Sequence, residues 1–355
     1  MSAVLLRLAC TAAVAAQAAL APVPAVAAAP VPQPQQSVAQ LLTDLQRLYR
    51  QTEEATESYN ATAERLKRQR AEVTRLDGEL ARARLALRGS QGDAGRLARQ
   101  QYQNSSDLSP YLRLLLARDP QHALDEGHVI GRLTRERAET VDRLTDAERK
   151  RDALARAARK ALDEQLTLTG KQGRQRADVT ARLREVERLL ASLTPQRLAA
   201  VAALERTGVD QAQLRLATSG ALGDDSPPTG EGDRAVRYAL SQVGKPYQWG
   251  AQGPTSYDCS GLTSQAWDHA GTPIPRTSQE QWARLPKVPL NRLRPGDLVV
   301  YFPGATHVAL YVGGGRVVQA PRPGRRIEVS PLASAPVLGA VRPDGPLPDQ
   351  ATEAR

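Results

Sequence analysis

Cys259 and His307 are the residues of this 355-residue chain whose types and placement could do covalent chemistry. The chain has only two cysteines, and the other, Cys10, lies in an Ala/Val/Leu-rich N-terminal run. The stretch SYDCSGLTSQAWDHAG reads as a loop entering a helix, with Asp258 as N-cap, Cys259 as the first helical residue and Gly271 as the C-terminal stop. A thiol at that point faces unpaired backbone N–H groups and the positive end of the helix dipole. Both are expected to lower its pKa and favour thiolate. The alternative is a small buried hydrophobe, a common fate of a free cysteine.

A thiolate nucleophile needs a base, usually histidine. Of the four histidines, His122 and His128 belong to a long helical region upstream. His269 follows Cys259 by ten residues on the same helix, about 15 Å away at 1.5 Å per residue, and cannot reach it. His307 is left. It opens HVALYVGGGRVVQAP, which reads as a β-hairpin about Gly313, Gly314 and Gly315. Alternation puts His307, Ala309 and Tyr311 on one face of the first strand, and Val308, Leu310 and Val312 on the other. Gln319 then falls on the His307 face, directly opposite or diagonal depending on the turn. Its amide could accept a hydrogen bond from one imidazole nitrogen and orient the ring, as in papain-like sites. The alternatives are an ordinary strand histidine and an ordinary polar strand residue.

The remaining sequence must deliver and position these groups. The N-terminal stretch has Arg7, a long apolar run and small-x-small sites at Ala25-Val26-Ala27 and Ala27-Ala28-Ala29. It reads as a secretory signal over residues 1–29, too Ala-rich and Pro-broken to span a membrane. Export leaves Cys259 unpaired in a compartment that favours disulfides, which suggests intermolecular pairing or a reactive thiol. The net charge of +10 and pI near 9.9 call for an anionic partner. Outside the cell, an anionic cell wall suits that charge better than nucleic acid.

Residues 30–218 read as a helical arm. Stepping alternately four and three residues from Leu41 gives Leu41, Leu45, Leu48, Thr52, Ala55, Tyr59, Thr62, Leu66, Gln69, Val73, Leu76, Leu80, Ala83 and Leu87. Most of these are apolar, the seam of a coiled coil. RGSQGDAG (residues 88–95) is expected to break it. A short element, SPYLRLLLARDP, follows, and a second long helix runs from about His122 to Ser192 with a bend expected near Gly170 and Gly173. The two long helices are expected to fold back as an antiparallel hairpin. Residues 219–232 are rich in Gly, Pro, Ser and Asp and read as a flexible linker. A compact domain follows over residues 233–344, holding all three Trp and the only Phe, and residues 345–355 read as a disordered tail.

The compact region resembles the NlpC/P60 family of cell-wall cysteine endopeptidases. The resemblance is carried by VGKPYQWG, YDCSGLTSQAW, IPRTSQEQ, LRPGDLVVYF, HVALYVGGGRVVQAP and the closing GAVRP, in family order and spacing. It implies an α+β papain-like fold with the cysteine helix packed on an antiparallel sheet, preceded here by the all-α arm. It makes Cys259 the nucleophile, His307 the base and Gln319 the third polar residue, a position more often filled by histidine. Tyr247 matches a tyrosine near the oxyanion, and Asp258 and Ser260 match the residues flanking the nucleophile. The implied substrate is the peptidoglycan stem peptide, cut between D-isoglutamate and the diamino acid. No cofactor is implied, and no second Cys or His cluster in the domain suits zinc. The Ala/Arg-rich arm is similar in composition to the N-terminal arms of secreted actinobacterial members. Two other classes remain open: a catalytically weak wall-binding module whose arm recruits or activates other hydrolases, and a thiol amidase or acyltransferase. The arm itself could tether the domain or cover its groove. Its seam is expected to be used within the arm, leaving a helix end or SPYLRLLLARDP as the source of any inhibition.

Overall fold

The computed structural model describes residues 37–103, 120–223 and 226–345. The signal, nearly all of SPYLRLLLARDP and the tail beyond Gly345 lie outside the described residues. From Val38 onward the chain forms one compact unit in which a helical arm and a sheet domain are packed together.

Three helices build the arm: α1 (Val38–Gln103), α2 (Pro120–Ala191) and α3 (Pro195–Thr218). α1 and α2 run antiparallel, as two cross-links show: Gln69 Nε2 donates to the Ala161 carbonyl at 2.9 Å, and Gln175 Nε2 to Ser58 Oγ at 2.6 Å. The seam residues Leu66, Leu76, Leu80, Ala83 and Leu87 are buried, with Ala161, Leu168, Val179 and Val186 buried on α2. α1 continues through residues 88–95 and α2 through Gly170 and Gly173, so neither expected interruption occurs. A glycine in a helix costs only about 1 kcal/mol against alanine, and the long apolar seam outweighs a few of them. α3 is a separate helix within the expected arm. Its start is written in the sequence: Thr194 caps the Arg197 N–H and Pro195 opens the first turn. Leu193 and Val201 pack with Leu41 and Leu45 to close the base of the arm.

The sheet domain begins with α4 (Gly230–Ser241), capped by Thr229 and with Glu231 and Asp233 in its first turn. Residues 230–232, expected in the linker, are therefore helical, and Leu222 packs on the sheet. Thr229, whose Oγ1 accepts from the Gly232 N–H at 3.0 Å, draws these last residues of the polar stretch into the helix. α5 (Cys259–His269) and α6 (Ser278–Arg284) follow. The strands are β1 (Lys287–Val288), β2 (Leu298–Tyr301), β3 (His307–Gly313), β4 (Arg316–Gln319), β5 (Glu328–Pro331) and β6 (Val337–Val341). They form one antiparallel sheet in the order β1-β6-β2-β3-β4-β5.

Alternation divides the sheet into two faces. Leu298, Val300, Val308, Leu310, Val318 and Val341 join the core beneath α4 and α5, where Trp267 is fully buried and donates from Nε1 to the Gly296 carbonyl at 3.1 Å. Fully burying side chains of this size contributes about 1.5–3 kcal/mol each, enough to anchor α5 rigidly. Val299, Tyr301, Ala309, Tyr311 and Val317 face the other way, where Leu216 of α3 packs. Gln213 of α3 also accepts from the Ala333 N–H at 2.9 Å and donates to the Gly315 carbonyl at 3.1 Å. Both sheet faces are thus covered, one by α4 and α5 and the other partly by the arm.

Candidate active site

Cys259 stands at the first position of α5, and the local sequence explains why. Asp258 is the N-cap: its Oδ1 accepts from the Gly261 N–H at 2.7 Å, and its Oδ2 from the Gly250 N–H at 2.9 Å. Arg276 donates to Asp258 Oδ2 and to Ser260 Oγ, both at 2.7 Å, in a fully buried charge pair. Gly261 must lack a side chain because a Cβ there would strike the Ala251 carbonyl, which packs against the start of the helix. These contacts fix the loop-to-helix turn and with it the sulfur.

His307 opens β3, opposite Tyr301 of β2, whose ring lies 5.6 Å from the imidazole centroid to centroid. The hairpin register pairs Leu310 with Val318, so its continuation sets Gln319 diagonal to His307. Gln319 Oε1 lies 2.7 Å from His307 Nε2. The other end of that amide donates to Ser330 Oγ at 2.6 Å and Ser334 Oγ at 3.3 Å. An oxygen can only accept, so His307 Nε2 carries a proton and Nδ1 is the nitrogen available as base. Tyr247 is buried in the same core cluster as Cys259. Its phenol is pushed well above the ordinary range by burial, then by the Cys259, Asp258, Glu53 and Glu57 charges, so it remains a donor. His269 lies at the far end of α5 against the Tyr238 ring.

The groove between these residues is occupied by α1. Glu57 Oε1 accepts from Ser260 Oγ at 2.7 Å and lies 3.8 Å from Cys259 Sγ, while Oε2 accepts from the Ser278 N–H at 3.0 Å. One turn earlier, Glu53 Oε1 lies 3.3 Å from His307 Nδ1, at ion-pair distance without hydrogen-bond alignment. Asn60 Nδ2 donates to Asp258 Oδ2 at 3.0 Å, and Tyr59 meets Trp249 edge to face. Farther along, Glu205 of α3 binds Arg322 through both carboxylate oxygens, at 2.7 and 2.9 Å, and the Arg322 guanidinium also lies over Tyr49. Cys259 and His307 are only 2% and 3% exposed. A cavity of about 490 Å³ remains beside His307 and Gln319, lined from the arm by Tyr49, Glu53 and Glu205.

This occupancy reverses the expectation for the thiol. Burial first, then the Glu57, Asp258 and Glu53 carboxylates, push Cys259 well above its ordinary pKa, and a hydrogen bond from the Val308 backbone does not offset them. The helix-start effect is present, but three nearby acids and the loss of water outweigh it. The His307 pKa is raised: burial opposes the charged ring, but Glu53 and Gln319 outweigh it. The seam was expected to act only within the arm. Instead, between Leu45 and Leu66 the buried α1 positions are Thr52, Glu53, Thr56, Glu57, Asn60 and Thr62, and of these Glu53, Glu57 and Asn60 contact the sheet domain.

Glu53, Glu57, Asn60 and Arg276 were not among the sequence-derived site residues. Arg276 stood inside the IPRTSQEQ stretch as a lone cation in a domain core. The weakening of the seam at Thr52, Tyr59 and Thr62 marked where α1 has a second neighbour. Among the described residues, no group of three or more His, Cys, Asp or Glu side chains is arranged to hold a metal ion.

Comparison with known proteins bears on residues 244–339, which match the NlpC/P60 family. A probable endopeptidase of Corynebacterium glutamicum is 42% identical over 33% of this chain and 56% of its own length. One of Mycobacterium tuberculosis is 38% identical over 33% of this chain and 31% of its own length. The NlpC/p60 domain of the peptidoglycan hydrolase SagA aligns over 31% of this chain and 97% of that one, at 30% identity and a TM-score of 0.30. The chain spans about half or less of the length of these curated relatives. With a cysteine opening a helix and a histidine opening a strand, residues 244–339 form an NlpC/P60 domain.

Proposed function

We propose that this protein is a cysteine endopeptidase that cuts peptidoglycan stem peptides between D-isoglutamate and the diamino acid. The observation that carries the reading is the pairing of Gln319 with His307 Nε2 in a domain whose helix begins at Cys259. That pairing leaves Nδ1 to exchange protons, and the groove holds the thiol and imidazole under one α1 segment, where Glu57 meets Cys259 and Glu53 meets His307.

The chemistry follows from these groups. With the groove open, His307 Nδ1 takes the Cys259 proton and the thiolate attacks the D-isoglutamyl carbonyl carbon, forming a C–S bond. The Cys259 backbone N–H and the Tyr247 hydroxyl stabilise the oxyanion. The C–N bond breaks as the imidazolium returns its proton to the leaving amine. Water then adds to the thioester while His307 accepts its proton, and the proton goes to the departing sulfur. The products are a D-isoglutamyl carboxylate and a stem fragment with a free amine. The reading places the enzyme outside the cell at the wall, where its basic charge meets anionic polymer.

Digestion of purified cell wall, with mass spectrometry of the soluble fragments, tests it. Fragment pairs ending at D-isoglutamate and beginning at the diamino acid are expected, and they should vanish with Cys259→Ala. Cysteine-dependent cleavage at another bond overturns the assigned bond.

A further inference from the structure

We infer that the α1 face carrying Glu53 and Glu57 is a built-in plug, so that the docked chain is a latent enzyme and release of the arm is its activating step. The inference concerns the regulation of the site proposed above and rests on that reading for its link to activity, but the plug itself can be tested on the thiol alone.

Three observations carry it. First, no carbonyl can approach the sulfur while α1 is docked: Cys259 is 2% exposed, and Glu57 lies against both its sulfur and the Ser260 hydroxyl. Second, the contacts fall on the groups that do the chemistry. Glu53 faces the proton-accepting nitrogen of His307, and Glu57 takes the Ser260 and Ser278 donors through its two oxygens. A helix packed merely for stability has no reason to aim two carboxylates, one turn apart, at a nucleophile and its base. Third, the docked face is polar, whereas most of the seam beside it is apolar. Burying carboxylates costs several kcal/mol each unless their partners compensate, and the Thr56 hydroxyl next to Glu57 in the chain is buried without a partner. Such a contact is balanced for release, unlike the apolar cluster of Leu41, Leu45, Leu193 and Val201 at the arm's base.

α3 provides the latch. The bidentate Glu205–Arg322 pair and the Gln213 hydrogen bonds hold the arm to the β-hairpin side of the domain, away from Cys259. Breaking that latch should loosen α1 without changing any charge beside the sulfur.

The test uses the full chain and reads the rate at which iodoacetamide alkylates Cys259, followed by mass spectrometry of its peptide. Thr56→Arg places a long cation next to Glu57 in the chain, at a position that is 1% exposed, and Glu205→Arg repels Arg322. Each variant should raise the alkylation rate at least about tenfold, a change of about 1.4 kcal/mol in the docking equilibrium. Glu54→Ala, on the exposed face of α1, should leave the rate unchanged. The charge swap Glu205→Arg/Arg322→Glu should return it toward wild type. If Thr56→Arg fails to fold, as far-UV circular dichroism would show, Glu205→Arg at its half-buried site carries the test. Equal alkylation in wild type, Thr56→Arg and Glu205→Arg overturns the plug. Cleavage of soluble muropeptide, measured in parallel, should rise with alkylation. Faster alkylation without any cleavage would retain the plug and overturn the proposed peptidase reaction instead.

Discussion

Glu53 Oε1 lies 3.3 Å from His307 Nδ1, on the opposite side of the imidazole from the nitrogen held by Gln319. The ring is therefore bracketed, with an arm carboxylate at the nitrogen that the proposed mechanism uses as base and a domain amide at the other. A protonated imidazole next to Glu53 cannot serve as base, and a thiol beside Glu57 and Asp258 resists ionising. In the proposed plug, the docked arm disfavours the thiolate and the neutral imidazole as well as covering both groups.

Docking should therefore weaken as pH rises. Burial, with the Asp258 charge adding to it, pushes Glu57 from an ordinary carboxylate value up to about 7, against the opposing pull of Arg276, Ser260 and the Ser278 N–H. A group whose pKa is raised on docking contributes fully below its undocked value and loses that contribution as pH rises through its docked value. For Glu57 the loss runs from the normal carboxylate range to about 7. His307, raised by Glu53 and Gln319 against the effect of burial, loses its contribution above the normal histidine value, in the same direction. Cys259 and Tyr247 stay protonated through this window and do not change the sign. Small-angle scattering should show a compact chain in mild acid and an extended one in mild base. Glu57→Gln, which keeps an acceptor but cannot ionise, should move the transition to higher pH. A profile unaltered by Glu57→Gln would remove Glu57 from the pH response.

In the released Thr56→Arg background, Cys259→Ala should abolish muropeptide cleavage, because losing a nucleophile typically costs several orders of magnitude. The fold should survive, since the change removes one buried atom at a helix start, worth about 1 kcal/mol. Residual cleavage above about 1% of the parent rate would be incompatible with a nucleophilic thiol.

Tyr247→Phe should reduce kcat by about 10²–10³, the usual cost of one oxyanion donor, while leaving Cys259 alkylation nearly unchanged. The tyrosine keeps its proton at neutral pH because burial and the surrounding carboxylates disfavour phenolate. A kcat within about threefold of the parent would mean that the oxyanion donor lies elsewhere.

The domain was more legible in the sequence than its regulation. Asp258 as cap, Cys259 as first helical residue and the glycine hairpin follow from local rules, and the structure has all three. The diagonal setting of Gln319 was one of two registers that alternation allowed. The arm's second contact was not legible because periodicity reports only that a face is buried, not which neighbour buries it. Glu53 and Glu57 sit one and two positions off the Thr52–Tyr59 seam and look like ordinary solvated helix charges until the sheet domain is placed against them. The expected lowering of the thiol pKa fails for the same reason: the helix-start rule is local, whereas the burial and two of the three carboxylates that override it, Glu57 and Glu53, come from a distant part of the chain.

Gln319 leads to a prediction specific to this chain. An amide has one accepting and one donating end, and the Ser330 and Ser334 hydroxyls take the donating end. That leaves Oε1 facing His307 Nε2 and sets the tautomer in which Nδ1 is the base. Gln319→Ala should lower kcat less than His307→Ala, because it orients the ring without taking a proton. Gln319→His should be tolerated. Ser330→Ala removes the better of the two clamps, so the amide can turn its NH₂ toward Nε2–H. With a hydrogen bond worth about 1 kcal/mol, kcat should fall about fivefold to tenfold at unchanged KM, and Ser330→Thr should restore it. The readout that separates this from general destabilisation is the pH profile of kcat/KM, whose acid limb reports the base. That limb should move to lower pH in Gln319→Ala, since the imidazolium loses an acceptor, and should shift in the same direction but less in Ser330→Ala. If Gln319→Ala matches its parent between about pH 5 and about pH 9, the imidazole is oriented by another residue.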